Sequence, residues 1–213
     1  MHTRWPRRIV VVLAGLAFAT CARGQLPDGT AHWKSTIEVE GGPAADVGPM
    51  QAEIWVKQGK LRMQTQVIGI TQNFVKSGDT MYQWTEGQKN GMKMATAVAG
   101  RASASGDYAT RIEEYRTKGT KKGSESVDGH ACDIFELSSN SPAGAGVGVR
   151  KETVWLARDL HNFPLKVISE ANGSRITSRN SAVSFQASVP DSMLAPPADV
   201  EFRDMSEMIR NMK

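Results

Sequence analysis

Cysteine is nearly absent. The 213 residues contain only Cys21 and Cys132. Cys21 lies in a segment laid out like an export signal, so the folded chain is expected to keep one thiol, and one thiol makes no internal disulfide. Stability must then come from a core, which a chain of this length can build as a single domain. Gly at 20 and Pro at 9 are too few for a collagen-like or low-complexity polymer. No apolar run reaches the ~20 residues that a membrane-spanning helix needs. Charge of one sign is lacking as well. The formal +4 comes from 26 basic against 22 acidic residues, and Arg4, Arg7, Arg8 and Arg23 supply all of it. Beyond residue 24 the two signs balance at 22 each, so no Lys/Arg stripe marks a nucleic-acid partner.

Catalytic motifs are missing too: there is no G-x-S-x-G, S-x-x-K, H-E-x-x-H, C-x-x-C or Walker-type loop. His130 and Cys132 are two apart on a strand and share a face. A nucleophile–base pair needs a third orienting group, however, and a closed zinc site usually needs four ligands. Cys132 therefore reads as a small buried apolar residue, and Asp159 and His161 as turn residues. Gly144, Gly146 and Gly148 read as a flexible loop rather than a phosphate cradle, because no strand leads into a helix there. The chain is expected to be no enzyme and to carry no cofactor.

What the sequence does contain begins with the signal. A basic stretch, His2 to Arg8, precedes an apolar run from Ile9 to Phe18, then small residues and Ala22-Arg23-Gly24 before Gln25. This predicts a periplasmic chain, with 1–24 removed and one domain over 25–213. Arg7-Arg8 fits a twin-arginine signal poorly. Lipid anchoring through Cys21 is the less favoured alternative, since Phe18-Ala19-Thr20-Cys21 lacks the Leu and the small residue of a lipobox.

From Ala31 onward apolar residues recur with period two, the mark of half-buried strands. Trp33, Ile37 and Val39 alternate with Lys34, Thr36, Glu38 and Glu40; Leu61, Met63, Thr65 and Val67 alternate with Arg62, Gln64 and Gln66. Gln58-Gly59, Asp128-Gly129 and Asn172-Gly173 mark hairpin turns. The period changes once. Tyr108, Ile112 and Tyr115 fall on one helical face between Asp107 and Lys118, with Gly119 as the stop. About ten strands against this helix predict a mainly β chain with one large antiparallel sheet. Several strands are apolar on both sides, as in Ile54 and Val56 opposite Trp55, and Val154 and Leu156 opposite Trp155. Either a sheet curled around an interior, with the helix as lid, or a two-layer sandwich satisfies that pattern. A short helical turn near Ser192 and a helix over Met205–Lys213 are expected in the tail.

Methionine stands out among the remaining residues, with ten in the chain. Thioethers suit copper(I), an adaptable apolar surface, or plain core filling.

The phrase WVKQGKLRMQ, Trp55 to Gln64, resembles the paired strands of bacterial lipoprotein-carrier-like proteins. So do ESVDGHACDIFEL, Glu125 to Leu137, and VWLARDLHNFPLKVISE, Val154 to Glu170. VPDSMLAPPADVEFRDM, Val189 to Met205, is similar to the ending common in that superfamily. The likeness covers most of the mature chain and points to periplasmic families of undefined function related to the outer-membrane lipoprotein carrier. It implies a single curved, unclosed antiparallel sheet, a half-barrel with a short helical lid over an apolar cavity for acyl chains. The implied wall positions are Trp33, Ile37, Trp55, Met63, Phe74, Tyr82, Trp84, Met94, Phe135 and Trp155, and the implied lid positions are Tyr108, Ile112 and Tyr115. Arg62 stands where the carriers have a basic strand residue. Leu61-Arg62-Met63 replaces their Arg-Pro step, which argues against transfer of lipoproteins themselves.

The expectation is a non-enzymatic periplasmic carrier for a lipid, an acylated protein or another apolar ligand, working with an envelope protein partner. Two other classes compete with it. One is a structural or stress-response envelope protein with a collapsed core and no ligand. The other is a copper-binding protein using Met92 and Met94 with His130 and Cys132.

Overall fold

The computed structural model describes residues 29–42, 45, 48–96, 108–140 and 149–206. The expected export signal, the expected Pro142–Gly148 loop and the expected tail helix beyond Ser206 fall outside the described residues.

The period-two segments form strands β1 (Thr30–Glu40), β2 (Met50–Lys57), β3 (Lys60–Val67), β4 (Ile70–Ser77), β5 (Thr80–Thr85) and β6 (Asn90–Ala95). Helix α1 (Tyr108–Lys118) follows. Then come β7 (Thr120–Val127), β8 (His130–Asn140), β9 (Val149–Ala157), β10 (Phe163–Ala171), β11 (Ser174–Ser184) and β12 (Glu201–Asp204). All twelve make one sheet in the order β12-β6-β5-β4-β3-β2-β1-β11-β10-β9-β8-β7. Two meanders, β1–β6 and β7–β11, are thus joined by the β1–β11 pair. β12 runs parallel to β6, whereas the other pairings are antiparallel. The ends β12 and β7 do not meet, so the sheet is an open half-barrel, with one short α-helix lying wholly among the described residues, and not a sandwich.

Turn chemistry sets the register. Gln58-Gly59, Asp128-Gly129 and Asn172-Gly173 have positive φ at both positions, the geometry whose twist matches that of paired strands. At the end of α1, the Gly119 N–H donates to Tyr115 O at 3.1 Å. A Cβ on Gly119 would sit 2.3 Å from that same oxygen, so glycine is required where the helix stops.

Residues directly opposite in the ladder share a face. From β1 to β4 one such row is Trp33, Ile54, Met63 and Phe74. In the other direction Ile37 faces Ser178, then Val167, Val154 and Phe135. This face holds most of the core, with Val56, Met63, Phe74, Val154 and Leu156 at most 2% exposed. Ile112 and Tyr115 of α1 join the same cluster.

The second face is covered differently. After β11 the chain returns across β2–β5: Lys57 Nζ donates to Val189 O at 3.1 Å, and a 3-10 turn, Asp191–Leu194, buries Leu194. Phe202 of β12 then sets its ring edge-on to Tyr82 and Trp84, at centroid distances of 5.1 and 6.0 Å. The apolar residues on both sides of β2–β5 are thus accounted for by two covers, the helix-bearing core on one face and the C-terminal segment on the other.

Candidate ligand-binding face

The ladder divides the wall residues suggested by the sequence. Trp33, Ile37, Met63, Phe74, Met94 and Phe135 lie on the helix-covered face. Trp55, Tyr82, Trp84 and Trp155 lie on the opposite one, since Trp55 faces Arg62, Arg62 faces Val75 and Val75 faces Tyr82. Trp55 stacks on His32 at 5.4 Å. The Trp155 Nε1–H donates to Glu125 at 2.8 Å, and Lys166 Nζ sits 4.1 Å from its ring centre. Of the lid residues, Ile112 and Tyr115 are buried, and the Tyr108 side chain lies outside the described residues.

Burial on the helix-covered face is graded. Its centre is closed, with Met63 at 1% and Phe74 at 2% exposure. Toward β5 and β6 it opens onto half-buried methionines. Met81 directly faces Met94, and Met92 faces Gln83, itself opposite Phe74. Unbranched thioethers at half-buried positions can repack around an apolar group of variable shape.

The helix is tied down by charge as well as by packing. Glu152, 3% exposed, lies on the same face as Val154 and is the only buried charged residue among those described. Its carboxylate meets Arg150 at 2.6 Å and also the Arg111 guanidinium. It accepts hydrogen bonds from Tyr115 Oη at 2.8 Å and Ser169 Oγ at 3.2 Å. Burial, and after it the Glu152 charge, holds the Tyr115 hydroxyl above its ordinary range. Burial also pulls Arg111 down, but Glu152 and the neighbouring partners outweigh it and leave that guanidinium raised. Arg111 in turn holds Glu114 at 2.9 Å on the helix. None of Arg111, Arg150 or Glu152 was singled out from the sequence. The available signal was a carboxylate in phase with Val154 and Leu156.

On the opposite face a recess of about 470 Å³ lies under the C-terminal segment, lined by Arg62, Asn73, Trp84, Glu86, Pro196 and Pro197 among others. Arg62 donates to Asn73 Oδ1 at 2.7 Å and to Met193 O at 3.2 Å. Its guanidinium sits 5.6 Å from the Trp84 ring centre. Desolvation lowers its pKa, with Glu86 acting the other way. The residue that resembles the carriers' basic strand position therefore fastens the chain's own C-terminal segment to the sheet.

His130 and Cys132 do not form a nucleophile–base pair. The His130 ring is held by Asp159 at 2.7 Å. The Cys132 thiol is buried and donates to the His130 carbonyl at 3.5 Å. Burial raises its pKa, which keeps it a thiol. Among the described residues no group of three or more His, Cys, Asp or Glu side chains is placed to hold a metal ion, and no helix is long and apolar enough to cross a membrane.

Comparison with known protein families and with curated proteins finds no match. Among solved structures the chain is similar to LprF from Mycobacterium bovis at 12% identity and a TM-score of 0.49, covering 76% of this chain and 90% of that one. It is also similar to the lipoprotein LppX from Mycobacterium tuberculosis, at 14% identity and a TM-score of 0.45, covering 84% and 96%. A DUF1329 family protein from Desulfovibrio piger gives 12% identity and a TM-score of 0.37, covering 87% and 93%. Likeness at this level carries no residue roles and no ligand.

Proposed function

We propose that this chain is an exported, non-enzymatic carrier, a single domain over 25–213, that shelters a lipid, an acyl chain or another apolar ligand against the helix-covered face of the half-barrel. The observation that carries this reading is the graded apolar face, buried at Met63 and Phe74 and half-buried at Met81, Met92 and Met94. An acyl chain gains about 0.8 kcal/mol per buried methylene, so such a site needs shape and dryness more than polar recognition. Trp33, Ile37, Phe135, Ile112 and Tyr115 would line or close it. Trp55, Tyr82, Trp84 and Trp155 would support the wall from behind. Delivery or acceptance of the ligand calls for a partner in the envelope.

Native mass spectrometry of the exported protein, purified without detergent, tests the reading. A reproducible adduct of lipid mass, removed by organic extraction and weakened by Met92→Glu/Met94→Glu, is the expected result. A clean apo mass, together with no binding of an acyl-chain fluorophore, would leave a packed structural module instead.

A further inference from the structure

The β3–β4 hairpin ends in a tip that its own fold does not explain. Ile68 is 71% and Ile70 52% exposed, and among the described residues no other large hydrophobic side chains are so open. Ile68 also has φ +50°, a conformation that β-branched side chains rarely adopt. The comparable turns of this chain place Gln58, Asp128 and Asn172 at that position, again before a glycine with positive φ. A polar residue there is easily accommodated, and at Ile68 an isoleucine stands in its place. The hairpin holds no charged residue between Arg62 and Lys76. Its polar side chains near the tip are Gln66, Thr71 and Gln72, which are compatible with a lipid headgroup layer.

We infer that this tip inserts into a lipid surface. The convex shape favours a bilayer over a protein partner. Two aliphatic side chains on a turn present far too little area for a stable protein interface, which buries about 800 Å² per partner. A bilayer closes around a point of any shape. The turn Val67–Ile70 carries no charge that would resist burial among acyl chains, and exposed Glu86, whose N–H donates to Thr71 O at 2.9 Å, limits the inserted part to that turn. Val67 and Ile70 face each other across the hairpin and share the face of Met63 and Phe74, so a docked tip sets the end of the apolar face toward the membrane. The inference stands apart from the cargo reading, because a protein with no ligand can still dock.

The test is flotation of the exported protein with neutral phosphatidylcholine vesicles, at low and high salt, with Cys21→Ser in every sample so that no acyl anchor contributes. The parent is expected to float at both salt levels. Ile68→Asn/Ile70→Thr is expected to lower partitioning at least about tenfold, given the apolar surface removed, while melting no lower than the parent, because Asn suits φ +50° and Thr suits a strand. Ile68→Asn alone serves as a second, more conservative variant and should show a smaller loss in the same direction. Failure of the parent to float, equal flotation of both variants, or binding that requires anionic lipid and vanishes with salt would overturn the inference.

Discussion

Glu152 shows how one residue decides the attachment of α1. A carboxylate removed from water is tolerable only when its oxygens are satisfied, and here two arginines and two hydroxyls do so. Glu152→Gln keeps the shape but removes the charge, leaving Arg111 and Arg150 without their shared partner. We expect about 3 kcal/mol of destabilisation, within the range for breaking a buried pair, read by urea unfolding. We also expect faster amide exchange across Tyr108–Lys118. Unchanged exchange in the helix would mean that Ile112 and Tyr115 hold it by packing alone. The alternation Glu152, Val154, Leu156 places this carboxylate on the apolar face from sequence alone. Its partners were not legible, because Arg111 comes from a helix 41 positions away and nothing local in either segment announces the pairing.

At the level of elements, the strands, the four sequence-marked features Gln58-Gly59, Asp128-Gly129, Asn172-Gly173 and Gly119, and helix α1 follow from local pattern and turn chemistry. What covers each face does not. Trp55, Tyr82, Trp84 and Trp155 are wall positions only by the family resemblance, and the ladder register assigns them to the side away from the helix. The cover over Tyr82 and Trp84 depends on Phe202, brought in by a parallel pairing with β6 that no short-range signal encodes. Gly91 is where this pairing becomes testable. Its partner in β12 is Phe202, and a Cβ there would lie 2.7 Å from both the Phe202 ring and Gln83 O. Gly91→Ala should force Phe202 off Trp84 and Tyr82 and cost about 1–3 kcal/mol, as overpacking does. The reading is a lower urea midpoint with a changed near-ultraviolet circular dichroism signal. A wild-type aromatic signal would mean that β12 tolerates a shift and that Phe202 is not the cover.

Over the whole molecule, an open sheet leaves two edges and a long return segment that packing alone holds incompletely, and ion pairs lie at those places. Asp133 joins Arg158 and Lys121, and Glu136 joins Lys151 and Lys122, across β7, β8 and β9. Asp191 and Asp199 fasten the C-terminal segment to Lys57 and Lys89. Hydrogen bonds from Arg158, Lys151, Lys57 and Lys89, respectively, are the main cause holding the carboxyls of Asp133, Glu136, Asp191 and Asp199 below their ordinary values. A carboxylate depressed in the folded state stabilises the fold at every pH above its unfolded value, about 4. That contribution disappears as pH falls through the lower folded value. The melting temperature should therefore stay level from about pH 8 to pH 5 as far as these groups govern it, and fall below about pH 4. Each pair has at least one partner in solvent and is individually weak, so the decline reflects their number and their placement at the edges. Salt near 1 M, with a Debye length of about 3 Å, should flatten it. Amide exchange at pH 3 should rise first in β7 and in the segment after β11, ahead of β1–β3. Uniform loss of protection would place the acid sensitivity in the core, and a melting temperature that rises on acidification would show that these carboxylates are not stabilising the open edges.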